Sequence, residues 1–169
     1  MVTIYTVCLG NICRSPIAEA VLRQQLDGAG LGDQVEVQSA GTAGYHVGED
    51  ADRRTNRVLA DHGYELNHSA QKFSAQMLRN ADLVLVMDSS NYDDVKRLAS
   101  LTESTTALSN EDKIKMFRSF EPDSSDSIAG DLAVPDPWYG NMSDFEHVLA
   151  ICESSTPGVV DYVRTTLLS

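Results

Sequence analysis

Positive charge is scarce in this sequence: 13 lysines and arginines stand against 25 aspartates and glutamates, for a net charge of −12. So acidic a surface repels nucleic acid and anionic membranes, and neither is an expected partner. Any phosphate must be held by a local concentration of donors. Long apolar runs are lacking too. None approaches the ~20 residues of a membrane-spanning helix. MVTIYTVCLG has no basic region ahead of its apolar stretch, so no secretory signal is read there and the cytoplasm is the expected compartment. Cysteine is limited to Cys8, Cys13 and Cys152, an odd number that makes no disulfide framework. In a reducing compartment such cysteines are buried, catalytic or redox-active. A zinc site on Cys8 and Cys13 would need two more ligands, and Cys152 and the four histidines lack metal-like spacing. The nucleotide loops GxGxxG and GxxxxGK are also missing.

What is present is enough for one globular domain. The chain has 169 residues, 42% of them hydrophobic, and neither an internal repeat nor a second domain is visible. Thr3–Val7 alternates β-branched and aromatic residues, as a strand does. Ser15 looks like a helix N-cap with Pro16 at the first helical position, and apolar residues at 17, 21, 22 and 26 give that helix a buried face. Residues 35–38 read as a second strand running into the turn SAGTAGYHVGED. Residues 51–62 and 73–80 read as helices. DLVLVMD (82–88) is the pattern of a strand buried on both faces. SSNYDDVKRLA follows as a capped helix, 113–117 as a strand, and 143–168 as a long helical region with a kink or break at Pro157–Gly158. Strands alternating with helices predict an α/β fold, a parallel sheet with helices on both faces. Residues 119–133 are acidic and patternless, and a mobile loop is expected there.

The stretch VCLGNICRSPIAEA places Cys8, five residues, then Arg14 and Ser15 between a strand and a helix. So tight a loop can turn successive N–H groups inward. Gly10 permits unusual backbone angles, Asn11 tolerates a left-handed one, and the helix adds its positive end. The result is an anion-binding nest. Arg14 offers a planar fork matched to two phosphate oxygens. The surrounding positive potential favours the thiolate of Cys8, which is the nucleophilic form, and Ser15 could donate to its sulfur. A cysteine after a strand is by itself merely a small buried residue, so the spacing needs support. VPDPWYG supplies it: Asp136 is a candidate general acid in a loop stiffened by two prolines, with Trp138 and Tyr139 beside it. Alone, Asp-Pro is only a turn signal.

Taken together, CLGNICRSPIAEA, SAG at 39–41, MDSSN at 87–91 and PDPWYG resemble the low-molecular-weight protein tyrosine phosphatases in order and spacing, over nearly the whole chain. The resemblance implies a four-stranded parallel sheet and metal-free hydrolysis of phosphotyrosine with no cofactor. It makes Cys8 the nucleophile, Arg14 the phosphate clamp and Asp136 the general acid. Leu9, Gly10, Asn11, Ile12, Cys13, Arg14 and Ser15 become the phosphate-binding loop. Asn11, Ser15, Ser39 and His68 become the network that holds the loop in shape. Ile12, Tyr45, Trp138 and Tyr139 line the substrate cleft. For His68 and Tyr45 an exposed turn residue is the competing reading. Asp88 either orients Arg14 or caps the helix near Ser89. Trp138 stands where many animal members carry the first of two tyrosines, which removes phosphorylation at that position.

The expected reaction passes through a phosphocysteine. Cys13, within the same curled loop, is a candidate redox partner that would capture an oxidised Cys8 as a disulfide. Expected partners are phosphotyrosine-bearing proteins and a cognate tyrosine kinase, with phosphate and other oxyanions as inhibitors and a monomeric chain. Three rivals remain open. An arsenate reductase of this fold needs a relay cysteine near MDSSN, and a protein-arginine phosphatase tends to have threonine at the place of Ile12. A non-catalytic anion sensor would need no Asp136.

Overall fold

A computed structural model of the chain describes residues 1–122 and 132–169. Four strands, β1 (Val2–Cys8), β2 (Val35–Gly41), β3 (Leu83–Val86) and β4 (Ile114–Met116), form one sheet in the order β2-β1-β3-β4, and every neighbouring pair is parallel. Among the described residues five α-helices surround it: α1 (Arg14–Gly28), α2 (Arg53–Asp61), α3 (Ala75–Asn80), α4 (Ser89–Ala99) and α5 (Met142–Tyr162). A 3₁₀ turn, Phe117–Phe120, follows β4, and a π-helical turn, Val163–Leu167, follows α5. The α/β architecture expected from the sequence is the one observed.

The sheet separates two cores. In β3 the alternation is plain: Leu83 and Leu85 face the core made with α1, α2 and α5, while Val84 and Val86 face the core made with α3 and α4. This explains the unbroken apolar run, since both faces of the strand are covered. The same period sends Ile4 and Cys8 of β1 to the first core and Tyr5 and Val7 to the second. After β1 the chain crosses to β2 on one side of the sheet, then returns to β3 on the other. Such a reversal opens a crevice at the carboxyl ends of the two central strands, and Cys8 is the last residue of β1.

Several local expectations are corrected. The N-cap of α1 is Cys13, with no side-chain cap bond, and the helix starts at Arg14. Ser15 is already helical because its hydroxyl is drawn inward to Cys8 and Asn11. Pro16 consequently sits at the third helical position, where its lacking N–H costs no intrahelical bond. β2 runs on through Ser39–Gly41, pairing Ser39 with Thr6 and Gly41 with Cys8, so SAG is strand and not turn. Phe73 lies outside α3, whose N-cap is Ser74. Its N–H donates to Gly41 O at 2.7 Å. α5 continues through Pro157 and Gly158 without a break. Gly158 answers a packing need: a Cβ there would collide with the carbonyl of Phe120. Of the loop expected at 119–133, Ser119 and Phe120 belong to the 3₁₀ turn, and residues 123–131 lie outside the described residues.

Candidate active site

The turn between β1 and α1 is built from the outside. Its carbonyls are claimed by surrounding elements: Cys8 O by Thr42 N (2.9 Å), Leu9 O by Ala43 N (3.0 Å), and Ile12 O by Asp52 N (2.9 Å) and Thr55 Oγ1 (2.8 Å). Asn11 O lies 2.6 Å from His68 Nε2, which donates to it. Among the described residues none of the N–H groups of residues 10–14 has an acceptor, so the amides of this curl are left for an anion while its carbonyls face away. The first turn of α1 stands directly behind.

One residue in the loop takes positive φ, and it is Asn11 (φ 59°), not Gly10. A non-glycine residue held there costs about 1–3 kcal/mol unless its surroundings over-determine it. They do. Asn11 Nδ2 donates to Ser15 Oγ and Ser39 Oγ, both at 2.9 Å, and Asn11 Oδ1 accepts from Gln71 N at 2.9 Å. The last bond fixes which way the amide points, because a backbone N–H can meet only the oxygen. Gly10 lies close to His46, whose Cδ2 would sit 3.2 Å from an added Cβ. Gly41 is more constrained: a Cβ would stand 2.7 Å from Leu9 O and 3.1 Å from the Gly10 carbonyl carbon, both backbone atoms of the loop.

Cys8 is 3% exposed and its Sγ lies 3.0 Å from Ser15 Oγ. Because Ser15 Oγ already accepts from Asn11, its own proton is free to point at sulfur. Arg14 is almost wholly buried. Its Nη1 donates to Asp88 Oδ2 at 2.7 Å and to Val134 O at 3.1 Å, and its Nη2 lies 3.7 Å from Asp136 Oδ2. Burial disfavours the guanidinium charge, yet the negative charges at Cys8, Asp88 and Asp136 outweigh it and hold its pKa above the ordinary value. Asp88 does both things weighed for it, since its Oδ1 also accepts from Asn91 N (2.8 Å) as the N-cap of α4. Burial pushes the Cys13 thiol up to about 12, with Asp52 and Cys8 adding to the effect. All three cysteines are free thiols.

Asp136 comes to this loop from the far end of the chain. Val134 N donates to Met87 O at 2.7 Å while Val134 O accepts from Arg14, which pins the segment to the end of β3. Asp136 Oδ1 accepts from Trp138 N at 3.1 Å. Arg54 holds the other side, donating to Trp138 O (3.1 Å) and Gly140 O (3.0 Å) while paired with Asp52. A cavity of about 280 Å³ results. Cys8, Ile12, Cys13 and Arg14 line it together with Leu9 and Gly10, and Asp136, Tyr45, His46, Trp138 and Tyr139 complete its wall. Among the described residues no cluster of three or more histidines, cysteines or acids could hold a metal.

The profile of the family described as low molecular weight phosphotyrosine protein phosphatase matches residues 3–167. The chain belongs to that family. A low molecular weight protein-tyrosine-phosphatase of Streptomyces coelicolor is 46% identical over 159 residues, covering 94% of this chain and 91% of its own. A protein tyrosine phosphatase of Entamoeba histolytica, solved with Hepes in its active site, superposes with a TM-score of 0.84 at 29% identity, covering 97% of each chain. A drosophila arginine phosphatase superposes with a TM-score of 0.83 at 26% identity, covering 96% of this chain and 98% of its own.

Within this phosphatase family member, all the residues singled out in the sequence fall in or beside one cavity. Asn11, Ser15, Ser39 and His68 do not line it but form the network behind it, with Ser15 against Cys8 and with Ser39 and His68 against Asn11. Tyr45 and Tyr139 are 76% and 96% exposed at its mouth. Sequence reasoning missed Arg54, Gln71, Thr55 and His46. Thr55 acts through one bond, to Ile12 O, and Gln71 through bonds to Asn11, Gln38 and Ser39, all made across many residues, which leave no pattern in the chain. The adjacency of Asp52 and Arg54 at a helix start was the available signal for the arginine.

Proposed function

We propose that the chain is a phosphotyrosine-protein phosphatase working through a phosphocysteine. The observation that carries this reading is the convergence of Cys8, Arg14 and Asp136 on one aromatic-rimmed cavity. In the first step the Cys8 thiolate attacks phosphorus and the bond to the tyrosine oxygen breaks, while the protonated Asp136 gives its proton to that oxygen. In the second, Asp136 takes a proton from water, the water oxygen attacks phosphorus, and Cys8 leaves as thiolate with inorganic phosphate as product. The amides of residues 10–14 and the free edge of Arg14 meet the equatorial oxygens in both steps. Ser15 donates to the departing sulfur. No metal or organic cofactor enters either step.

Phosphotyrosine-bearing proteins are the substrates, and a tyrosine kinase supplies them. Phosphate and other oxyanions inhibit by occupying the same amides, and the Hepes in the Entamoeba relative's active site, a sulfonate, supports this. The protein works as a monomer in the reducing cytoplasm. No helix among the described residues is long and apolar enough to cross a membrane. Cys13 shares the cavity with Cys8, which supports its part as a redox partner: peroxide oxidises Cys8 to a sulfenic acid, and the Cys13 sulfur displaces its oxygen as water to form the disulfide.

Ile12 favours tyrosine over arginine as the phosphorylated residue, since a phosphoguanidinium loses solvation against an apolar wall. The fold does not decide this, given the likeness to an arginine phosphatase. Thiol-linked arsenate reduction is disfavoured because it needs a relay cysteine near residues 87–91, where the sequence has none, and Cys152 is fully buried in α5. Turnover of a small aryl phosphate with and without chelator, followed by phosphotyrosine and phosphoarginine peptides, tests the reading. Equal rates on both peptides, or activity lost with the chelator, would overturn it.

A further inference from the structure

Beside the catalytic cavity lies a second, larger one of about 580 Å³, lined by Asp52, Arg53, Arg54, Arg57 and Met142. Three of the chain's 13 basic residues fall within residues 53–57, in a protein whose net charge is −12. Their charges are not equally spent. Arg54 is committed to Asp52 through two side-chain bonds at 3.0 Å and to the carbonyls of Trp138 and Gly140. Arg57 meets Asp61 only at 3.9 Å, with both side chains more than half exposed, a pairing of little weight in water. Arg53 makes no hydrogen bond or close ion pair among the described residues, though its charge, after that of Arg54, helps hold the Asp52 carboxyl below its ordinary range. Arg53 and Arg57 are one turn apart on α2 and so share a face. The first turn of α2 adds its own positive potential.

We propose that Arg53 and Arg57 dock an acidic group, a carboxylate or a second phosphate, borne by the substrate a few residues from its phosphotyrosine. The two cavities have no lining residue in common but adjoin through Arg54 and Trp138. Arg54 lines this one, and its guanidinium lies 5.8 Å from the ring of Trp138, which lines the catalytic one. A peptide whose phosphate sits on the 10–14 amides can therefore pass over Trp138 and reach α2. The net charge of −12 disfavours such a chain over the surface as a whole, so a basic face beside the catalytic cavity selects the direction of the bound segment.

The inference rests on the phosphatase reading, and its test separates the two. Phosphotyrosine peptides carrying glutamates, glutamines or a phosphoserine on either side of the phosphotyrosine are compared as substrates. The wild type is expected to favour the acidic flank on one side by about three- to tenfold in kcat/KM, the yield of two exposed ion pairs. Added salt should erode the preference. Arg53→Ala/Arg57→Ala should abolish it while leaving kcat/KM on a small aryl phosphate unchanged, and Arg53→Glu/Arg57→Glu should turn it towards lysine flanks. A gain with glutamate assigns the carboxylate, and a gain with phosphoserine alone assigns the phosphate. Calorimetric titration of the same peptides into Cys8→Ser, with and without the arginine substitutions, reads the docking even if turnover fails. Equal affinities and rates for acidic and neutral flanks, or a preference that survives both arginine changes, would overturn it.

Discussion

Ser15 Oγ stands 3.0 Å from Cys8 Sγ with one of its lone pairs already engaged by Asn11 Nδ2. The hydroxyl proton is therefore available to sulfur throughout the reaction, and it matters most when sulfur must leave phosphorus. A hydrogen bond to a charged group is worth ~1.5–3 kcal/mol. Ser15→Ala should thus slow phosphocysteine breakdown by roughly 10- to 100-fold, while phenol is still released in a rapid first turnover. Rapid-quench kinetics would show a burst followed by a slow steady state. Loss of the burst along with the steady state would place Ser15 in the first step instead.

The contact between Gly41 and the loop predicts an unusual sensitivity to one methyl group. Gly41→Ala puts a Cβ 2.7 Å from Leu9 O, and neither backbone can yield without moving Cys8. Phosphate affinity and turnover should collapse together, with unfolding free energy lowered by a few kcal/mol, about what overpacking costs. Phosphate titration followed by tryptophan fluorescence checks this, as Trp138 is the only tryptophan. Binding unchanged from wild type would show that the loop tolerates the shift.

Asp136 is tested through the leaving group. Tyrosine's phenol has a pKa of about 10, so its oxygen leaves poorly unprotonated. General acid catalysis contributes ~10²–10⁴-fold, and Asp136→Asn should forfeit most of that on phosphotyrosine but far less on an ester of an acidic phenol. Phosphate affinity should change little. Single-turnover phenol release across a series of phenols gives the slope, and a flat series would remove Asp136 from proton transfer.

Cys13 makes a pH prediction of definite sign. Its folded-state thiol is pushed up to about 12 from an ordinary value near 9, so the folded protein keeps a proton that the unfolded chain releases. The stability this provides is whole below pH 9 and is lost as pH rises towards 12, by up to ~1.4 kcal/mol per pH unit. Urea unfolding at pH 8.5 and 10 should show a steeper loss for wild type than for Cys13→Ala. In the same protein iodoacetamide should modify Cys8 alone below pH 9, with phosphate protecting it, because burial keeps Cys13 and Cys152 as thiols. Equal labelling of Cys8 and Cys13 would contradict the raised thiol of the latter.

The parts of this site legible in the sequence are those carried by neighbours in the chain. Cys8 and Arg14 share one turn, so their spacing already limits their geometry, and β3 announced its two-sided burial through an unbroken apolar run. What escaped was decided across the fold. Ser15 has the chemistry of an N-cap, yet Cys8 and Asn11 outbid the helix end for its hydroxyl. The left-handed angle was legible at Asn11, but not that Ser39 and Gln71 arrive to anchor its amide. Pro157 suggested a kink or break, whereas α5, packed against α1, α2 and the 3₁₀ turn, runs on through it.

The anchoring of Asn11 has a consequence for how activity appears during folding. Its side chain joins the start of α1, the end of β2 and the segment at Gln71, pieces of chain separated by 28 and 60 residues from it. The left-handed turn has no support until all three have met. A chain in which β2 or the segment around residue 71 is still undocked holds Cys8 on a slack loop, with its amides scattered. Catalytic competence should therefore return in step with the slowest of these dockings during refolding, after much of the helical signal has been regained. Nascent or partly opened copies would carry an unarmed cysteine, so that misfolded molecules do not strip phosphate indiscriminately while they wait to fold or to be degraded.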